Sequence, residues 1–211
     1  GQLTNAEGHE LIDQLTSYER PYPMLVLTGG DCFERPDLVD LIEYAVGKGL
    51  HVSISPSVTP LFTRERVKAV QDAGVSVMSM SLDGGSAETH DAFRGFPGTF
   101  DRTIEACHML NELGMRFQLN TVFTAKNIHE APQMLKNAID LGAFMFYTFM
   151  LVPTGRGQHL DMLTPHERED VLHWLHDNST RIAIKTTEAP QYRRIAFQRE
   201  AVRQGKAAPA K

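Results

Sequence analysis

One phrase recurs along the chain and limits what it can fold into: an amphipathic helix, a glycine, then a short apolar strand. It occurs at Gly49-Leu50-His51-Val52, Gly74-Val75-Ser76-Val77, Gly114-Met115-Arg116-Phe117 and Gly142-Ala143-Phe144-Met145. Glycine is favoured just past a helix because that position commonly takes a left-handed backbone. The strands are β-branched or aromatic and nearly continuous in apolar character, as strands covered on both faces should be. The pattern predicts strands near 24–28, 51–55, 76–82, 116–123, 144–151 and 181–186. It predicts helices near 5–17, 36–47, 64–73, 100–113, 128–141 and 165–177. Thr4-Asn5-Ala6-Glu7 and Thr164-Pro165-His166-Glu167 both fit a capping box, and Pro165 suits a first helical position. Alternation of this kind means an α/β fold, a parallel sheet with crossover helices, and no linker divides it into two domains.

Composition narrows the function. The chain has 211 residues and a formal net charge of −5 with no basic block, which argues against a nucleic-acid surface. No apolar run approaches the roughly 20 residues that span a bilayer, so no membrane partner is expected. Cys32 and Cys107 lie far apart and make no disulfide framework, so a reducing cytoplasm is the simplest location. The chain opens on Gly1 and enters a helix almost at once, and its tail "QGKAAPAK" has no packing pattern. It reads as a piece of a longer protein.

Open α/β sheets and barrels both place their sites at the C-terminal strand ends. The polar residues there are Thr28-Gly29-Gly30-Asp31, Ser53 and Ser55, Ser81 with Asp83, Asn120 with Thr121, and Pro153-Thr154-Gly155-Arg156. Small hydroxyls, amides and acids gathered at one face form a binding-site pattern, although helix caps and turns use the same residues. Asp31, for example, could simply cap the helix that starts near Pro36, and Arg94 could be a surface helix residue.

The longest informative run is "SLDGGSAETHDAFRGFPGTFDRTIEACHMLNELGMRFQLNTVFT", residues 81–124. A strand closes on Ser81 and Asp83, Asp83-Gly84 turns, and a polar helical stretch carries His90 and Arg94. A glycine-proline loop, 95–98, then leads into the next helix. This order resembles the core domain of radical S-adenosylmethionine enzymes, in the branch with a C-terminal SPASM-type extension. "TGGDCFERPDL" and "LVPTGRG" fit the same branch, and the likeness runs over roughly residues 2–199. The resemblance implies a partial (β/α)6 TIM-like barrel over 1–190, with 191–211 as a bridge or tail toward a missing extension. It also implies two cofactors, S-adenosylmethionine and a [4Fe–4S] cluster held by a CxxxCxxC loop. Reductive cleavage then yields a 5′-deoxyadenosyl radical that abstracts hydrogen from a peptide or tetrapyrrole substrate. An electron donor such as a flavodoxin or ferredoxin would be a further partner.

Carried over by position, Gly29, Gly30 and Asp31 would receive the methionine amino group, the glycines letting the backbone approach closely. Ser81 and Asp83 would hold the ribose hydroxyls. Arg94 would pair with the methionine carboxylate through its planar fork. Asn120, Thr121, Leu151, Val152 and Pro153 would border the nucleoside.

The departures are as informative. The cluster needs several converging thiolates, and this chain offers only Cys32, read as a bystander, and Cys107, read as core packing. The cluster cysteines are therefore expected upstream of residue 1, by roughly 20 to 30 residues on the usual size of a βα unit. No catalytic or metal-ligating residue is assigned here. Some haem-pathway relatives carry Cys-Ala-Pro-His where this chain has Glu188-Ala189-Pro190-Gln191, which weighs against a specific haem-synthase assignment. His166, His173 and His176 read as a helix surface rather than a metal site. Two other readings stand beside this one. One is a β/α-barrel enzyme whose glycines approach a phosphate, opposed by Asp31 and by the lack of a nearby lysine. The other is a non-catalytic scaffold that kept the fold.

Overall fold

The computed structural model describes residues 2–205. Six strands form one sheet in sequential order: β1 (Leu25–Leu27), β2 (Val52–Ile54), β3 (Val77–Ser81), β4 (Phe117–Phe123), β5 (Met145–Met150) and β6 (Ala183–Thr187). Leu25 lies opposite Val52, Ser53 opposite Val77 and Met145 opposite Ala183, all in parallel register. The helices are α1 (Asn5–Leu15), α2 (Leu38–Gly47), α3 (Arg64–Asp72), α4 (Ala87–Arg94), α5 (Thr99–Glu112), α6 (Ala131–Asp140), α7 (Pro165–Asn178) and α8 (Gln191–Arg203). The predicted α/β alternation is what forms. Gly49, Gly74, Gly114 and Gly142 all take positive φ, between 66° and 106°. Both predicted capping boxes are present, at Thr4 with Glu7 and at Thr164 with Glu167.

α8 is the element the sequence pattern missed. Only Ile195 of this helix is buried, while Phe197 and Val202 are exposed, so its apolar residues trace no clear face. Ion pairs hold it to α7 instead: Arg194 Nη2 lies 2.5 Å from Glu169 Oε2 and Arg199 Nη2 2.9 Å from Asp177 Oδ2. The predicted tail at 191–211 is thus helical to Arg203, and residues 206–211 lie outside the described residues.

Two compact units emerge where no dividing linker was expected, because the chain crosses between them three times without one. The first comprises residues up to Ser81 with Asp101–Gln118, the second Leu82–Phe100 with Leu119 onward. The first packs Ile42, Ile54, Val67, Met78, Cys107 and Leu110 with almost no exposure. The second packs Phe123, Leu135, Phe146, Leu172 and Ile195, with Phe123 and Phe146 edge to face at 6.3 Å. No described helix is long and apolar enough to cross a membrane. Because Leu110 is 0% exposed, Leu110→Ala should cost about 2–5 kcal/mol, read as a lower urea midpoint with unchanged slope.

Candidate functional site

The loop after β1 is built to hold still. Asp31 is 8% exposed, and its Oδ1 accepts from the N–H of Phe33 at 3.1 Å and of Ser57 at 3.4 Å. Its Oδ2 accepts from Thr59 Oγ1 at 2.6 Å, and Ser57 Oγ donates to the Gly30 carbonyl at 2.7 Å. Asp31 therefore caps the short 3₁₀ turn Cys32–Glu34, whereas α2 starts behind Asp37 with no side-chain cap. Three of the roughly four acceptor positions of a carboxylate are occupied, and one is left. Ser57 and Thr59 carry no pattern in the sequence that marks this role; only the fold brings the loop after β2 to the loop after β1.

Gly29 and Gly30 answer to no packing need within the chain. A Cβ on either would meet nothing within 4 Å. Gly29 also sits at φ 141°, a conformation that side-chain-bearing residues rarely adopt. Beside them opens a cavity of about 370 Å³ lined by Leu3, Leu11, Leu25, Leu27 and the Gly29–Cys32 loop.

In the second unit the central group is Asp83. Its carboxylate is 1% exposed, accepts from the Val122 N–H at 2.8 Å through Oδ1, and forms an ion pair at 2.5 Å between Oδ2 and Arg94 Nη2. Burial pushes this carboxyl up, while the Arg94 charge and the Val122 N–H oppose that push. The Asp83 N–H donates to His90 Nδ1 at 2.9 Å, and its carbonyl accepts from Asn127 Nδ2 at 2.9 Å. Gly84 must lack a side chain, since a Cβ there would lie 2.4 Å from the His90 backbone nitrogen. Glu130 completes the turn, accepting from Gly85 N–H at 2.7 Å and Ser86 Oγ at 2.9 Å.

The model of the radical SAM superfamily matches residues 3–138. The chain belongs to that superfamily. It is 39% identical over 200 residues to an AdoMet-dependent heme synthase of Methanosarcina barkeri, covering 94% of this chain and 56% of that protein. It is 41% identical over 203 residues to the AdoMet-dependent heme synthase of Oleidesulfovibrio alaskensis, covering 94% of this chain and 52% of that one. The chain thus spans about half the length of these relatives. In fold it is similar to native anSMEcpe with bound AdoMet and Cp18Cys peptide, at TM-score 0.72 and 16% identity, covering 100% of this chain and 61% of that one.

Measured against the residues expected to bind the radical SAM cofactor, the placements differ. Ser81 ends β3 half-buried, and Arg94 keeps 37% of its side chain exposed. Asp83, expected to hold the ribose, is buried against Arg94 and the Val122 N–H. The side chains of Asn120 and Thr121 point to opposite faces of β4, as neighbouring strand residues do. Asn120 lies on the more open face of β4, whereas Thr121 is 1% exposed and donates its hydroxyl to the Leu82 carbonyl at 2.6 Å. Leu151 is half-buried, and Val152 and Pro153 are exposed in the loop after β5. β6 ends at Thr187, and Glu188 takes φ 59° to turn the chain toward α8.

The chain's own thiols do not fit an iron–sulfur cluster. Cys32 and Cys107 are buried, and burial pushes both thiols up to about 12, helped at Cys32 by the Asp31 charge. Among the described residues no group of three or more His, Cys, Asp or Glu is arranged to hold a metal. His173 sits beside Glu169 on its own helix at 3.5 Å.

Burial, and then the Arg94 charge, lower His90 from 6.5 to about 4, so the ring is neutral in the fold and its Nδ1 is able to accept from Asp83. Neutral His90 stabilises the fold fully above pH 6.5, and that contribution is lost as the pH falls from 6.5 toward 4. It amounts to about 3 kcal/mol for the whole shift. Urea unfolding between pH 4.5 and 7.5 should show a flatter profile for His90→Gln than for the wild type, from a lower starting stability.

Proposed function

We propose that the protein carrying this chain is a radical SAM enzyme acting on a tetrapyrrole. S-adenosylmethionine, cleaved reductively at a [4Fe–4S] cluster, supplies the hydrogen-abstracting radical in such an enzyme. The cluster's thiolates come from outside this chain, and the electron from a donor such as a flavodoxin or ferredoxin. The substrate class is supported by identity of 39% and 41% to heme synthases across 94% of the chain. Neither Cys nor His stands in Glu188-Ala189-Pro190-Gln191, so the reading is of the tetrapyrrole class rather than of haem synthesis itself.

The observation that carries a cofactor role for these residues is the open space at Gly29 and Gly30. Their backbone, fixed by Ser57 and Asp31, offers a close approach to the methionine amino group, and the remaining acceptor position of Asp31 faces the same demand for an acceptor. Arg94 is the partner for the methionine carboxylate. Asp83 orients that guanidinium and supplies the negative charge that keeps it in place when no ligand is bound. In the first unit Ser81 offers a hydroxyl suited to a nucleoside; in the second, Asn120 offers an amide and Leu151, Val152 and Pro153 an apolar border.

Two experiments test this. Full-length protein, reconstituted anaerobically and reduced, should give an electron paramagnetic resonance signal of a reduced [4Fe–4S] cluster that changes on adding S-adenosylmethionine. Absence of a reducible cluster sinks the assignment. Separately, Gly30→Ala should leave stability within about 0.5 kcal/mol, because the new Cβ meets nothing within 4 Å. Calorimetric titration should nevertheless show S-adenosylmethionine affinity reduced about tenfold. Unchanged affinity would remove Gly30 from the site.

A further inference from the structure

β5 and β6 present a second constellation. Tyr147 and Phe149 stand half-buried on one face of β5, while Phe146, Thr148 and Met150 are buried on the other. The parallel register sets Lys185 opposite Tyr147 and Thr187 opposite Phe149, so all four side chains share that face. The Tyr147 and Phe149 rings lie 4.4 Å apart with their planes tilted by 34°. Lys185 Nζ stands 4.6 Å from the Tyr147 ring centroid, and the Tyr147 hydroxyl lies 2.5 Å from Thr187 Oγ1. Among the described residues the Lys185 ammonium meets this ring rather than a carboxylate, and the side chain is exposed.

Each part of this face has a definite chemistry. Two tilted rings give a π surface suited to a flat conjugated ligand. Lys185 brings a positive charge and three rotatable donors. Of the two hydroxyls, one proton is used between Tyr147 and Thr187, which leaves the other to donate outward. The face therefore combines an aromatic shelf with cationic and hydroxyl donors on its rim.

We infer that this face of β5 and β6 binds the carboxylate-bearing edge of a planar macrocyclic substrate. Tyr147 and Phe149 support the ring, and Lys185 with the spare hydroxyl proton engages a peripheral carboxylate. Charge complementarity decides the occupant. A tetrapyrrole with acidic side chains matches both the rings and the ammonium, whereas an extended peptide backbone needs alternating donors and acceptors that these side chains do not offer. The inference rests on the tetrapyrrole reading above and makes Lys185 a specificity-determining residue.

The test uses the full-length holoenzyme and the fluorescence anisotropy of metal-free coproporphyrin III, with its uncharged tetra-amide as the control ligand. Lys185→Gln should weaken coproporphyrin binding about tenfold, the scale of one charge-assisted hydrogen bond, and leave tetra-amide binding unchanged. Lys185→Arg, which keeps the charge, should stay within about threefold of wild type. Circular dichroism melting confirms that the variants fold. If wild type binds coproporphyrin III and Lys185→Gln binds it equally well, the inference is overturned while the tetrapyrrole reading stands. If wild type binds neither porphyrin, both fall.

Discussion

The second unit is organised around one buried charge, the Asp83 carboxylate. An ionised carboxyl that is 1% exposed is costly unless each of its oxygens is answered. The structure answers Oδ1 with the Val122 N–H and Oδ2 with the Arg94 charge, an ion pair without hydrogen-bond geometry, and ties down the backbone of the same residue through His90 and Asn127. These contacts come from β4, α4 and the loop after β4, so one residue fixes the relative placement of three segments. The arrangement also explains why Gly84 follows it: the backbone of α4 comes too close for a Cβ. The cost of burying the charge is offset only while Arg94 stays near, so the position of Arg94 is set by a residue that does not itself reach solvent.

The first unit uses an acid in a related way. Asp31 is turned inward, and its oxygens gather the N–H groups of Phe33 and Ser57 and the hydroxyl of Thr59. In both units an acid at a strand end shapes the loop or side chain beside it. The Gly29–Gly30 backbone and the Arg94 guanidinium are thereby each held in place by an acid of their own unit. Preorganisation of this kind lowers the ordering cost of binding.

Much of the fold was legible because the periodicities are strong. The helix-glycine-strand phrase locates β2 to β5, and the capping boxes at Thr4 and Thr164 mark two helix starts. α8 was not legible because ion pairs from Arg194 and Arg199, rather than an apolar stripe, dock it. The residues of the candidate site were legible as a set but not in their orientations. Thr121 and Asn120 are neighbours in sequence, yet the pleat sends them to opposite faces, and only the burial alternation along β4 says which is which. Ser57, Thr59, His90 and Asn127 were missed for a further reason. Each acts through a partner more than five residues away in sequence, a relation that local spacing does not encode.

The cysteines complete the physical picture by what they are unsuited to do. A thiol becomes a metal ligand when its pKa falls, through a nearby cation, a helix N-terminus or the metal itself. Cys32 has the opposite surroundings, with burial and the Asp31 anion both acting against the thiolate. Cys107 lies in the core of α5 with 0% exposure and no charged neighbour to lower it. Burial first, and then the same Asp31 that orders the glycine loop, disfavour the thiolate of the adjacent Cys32.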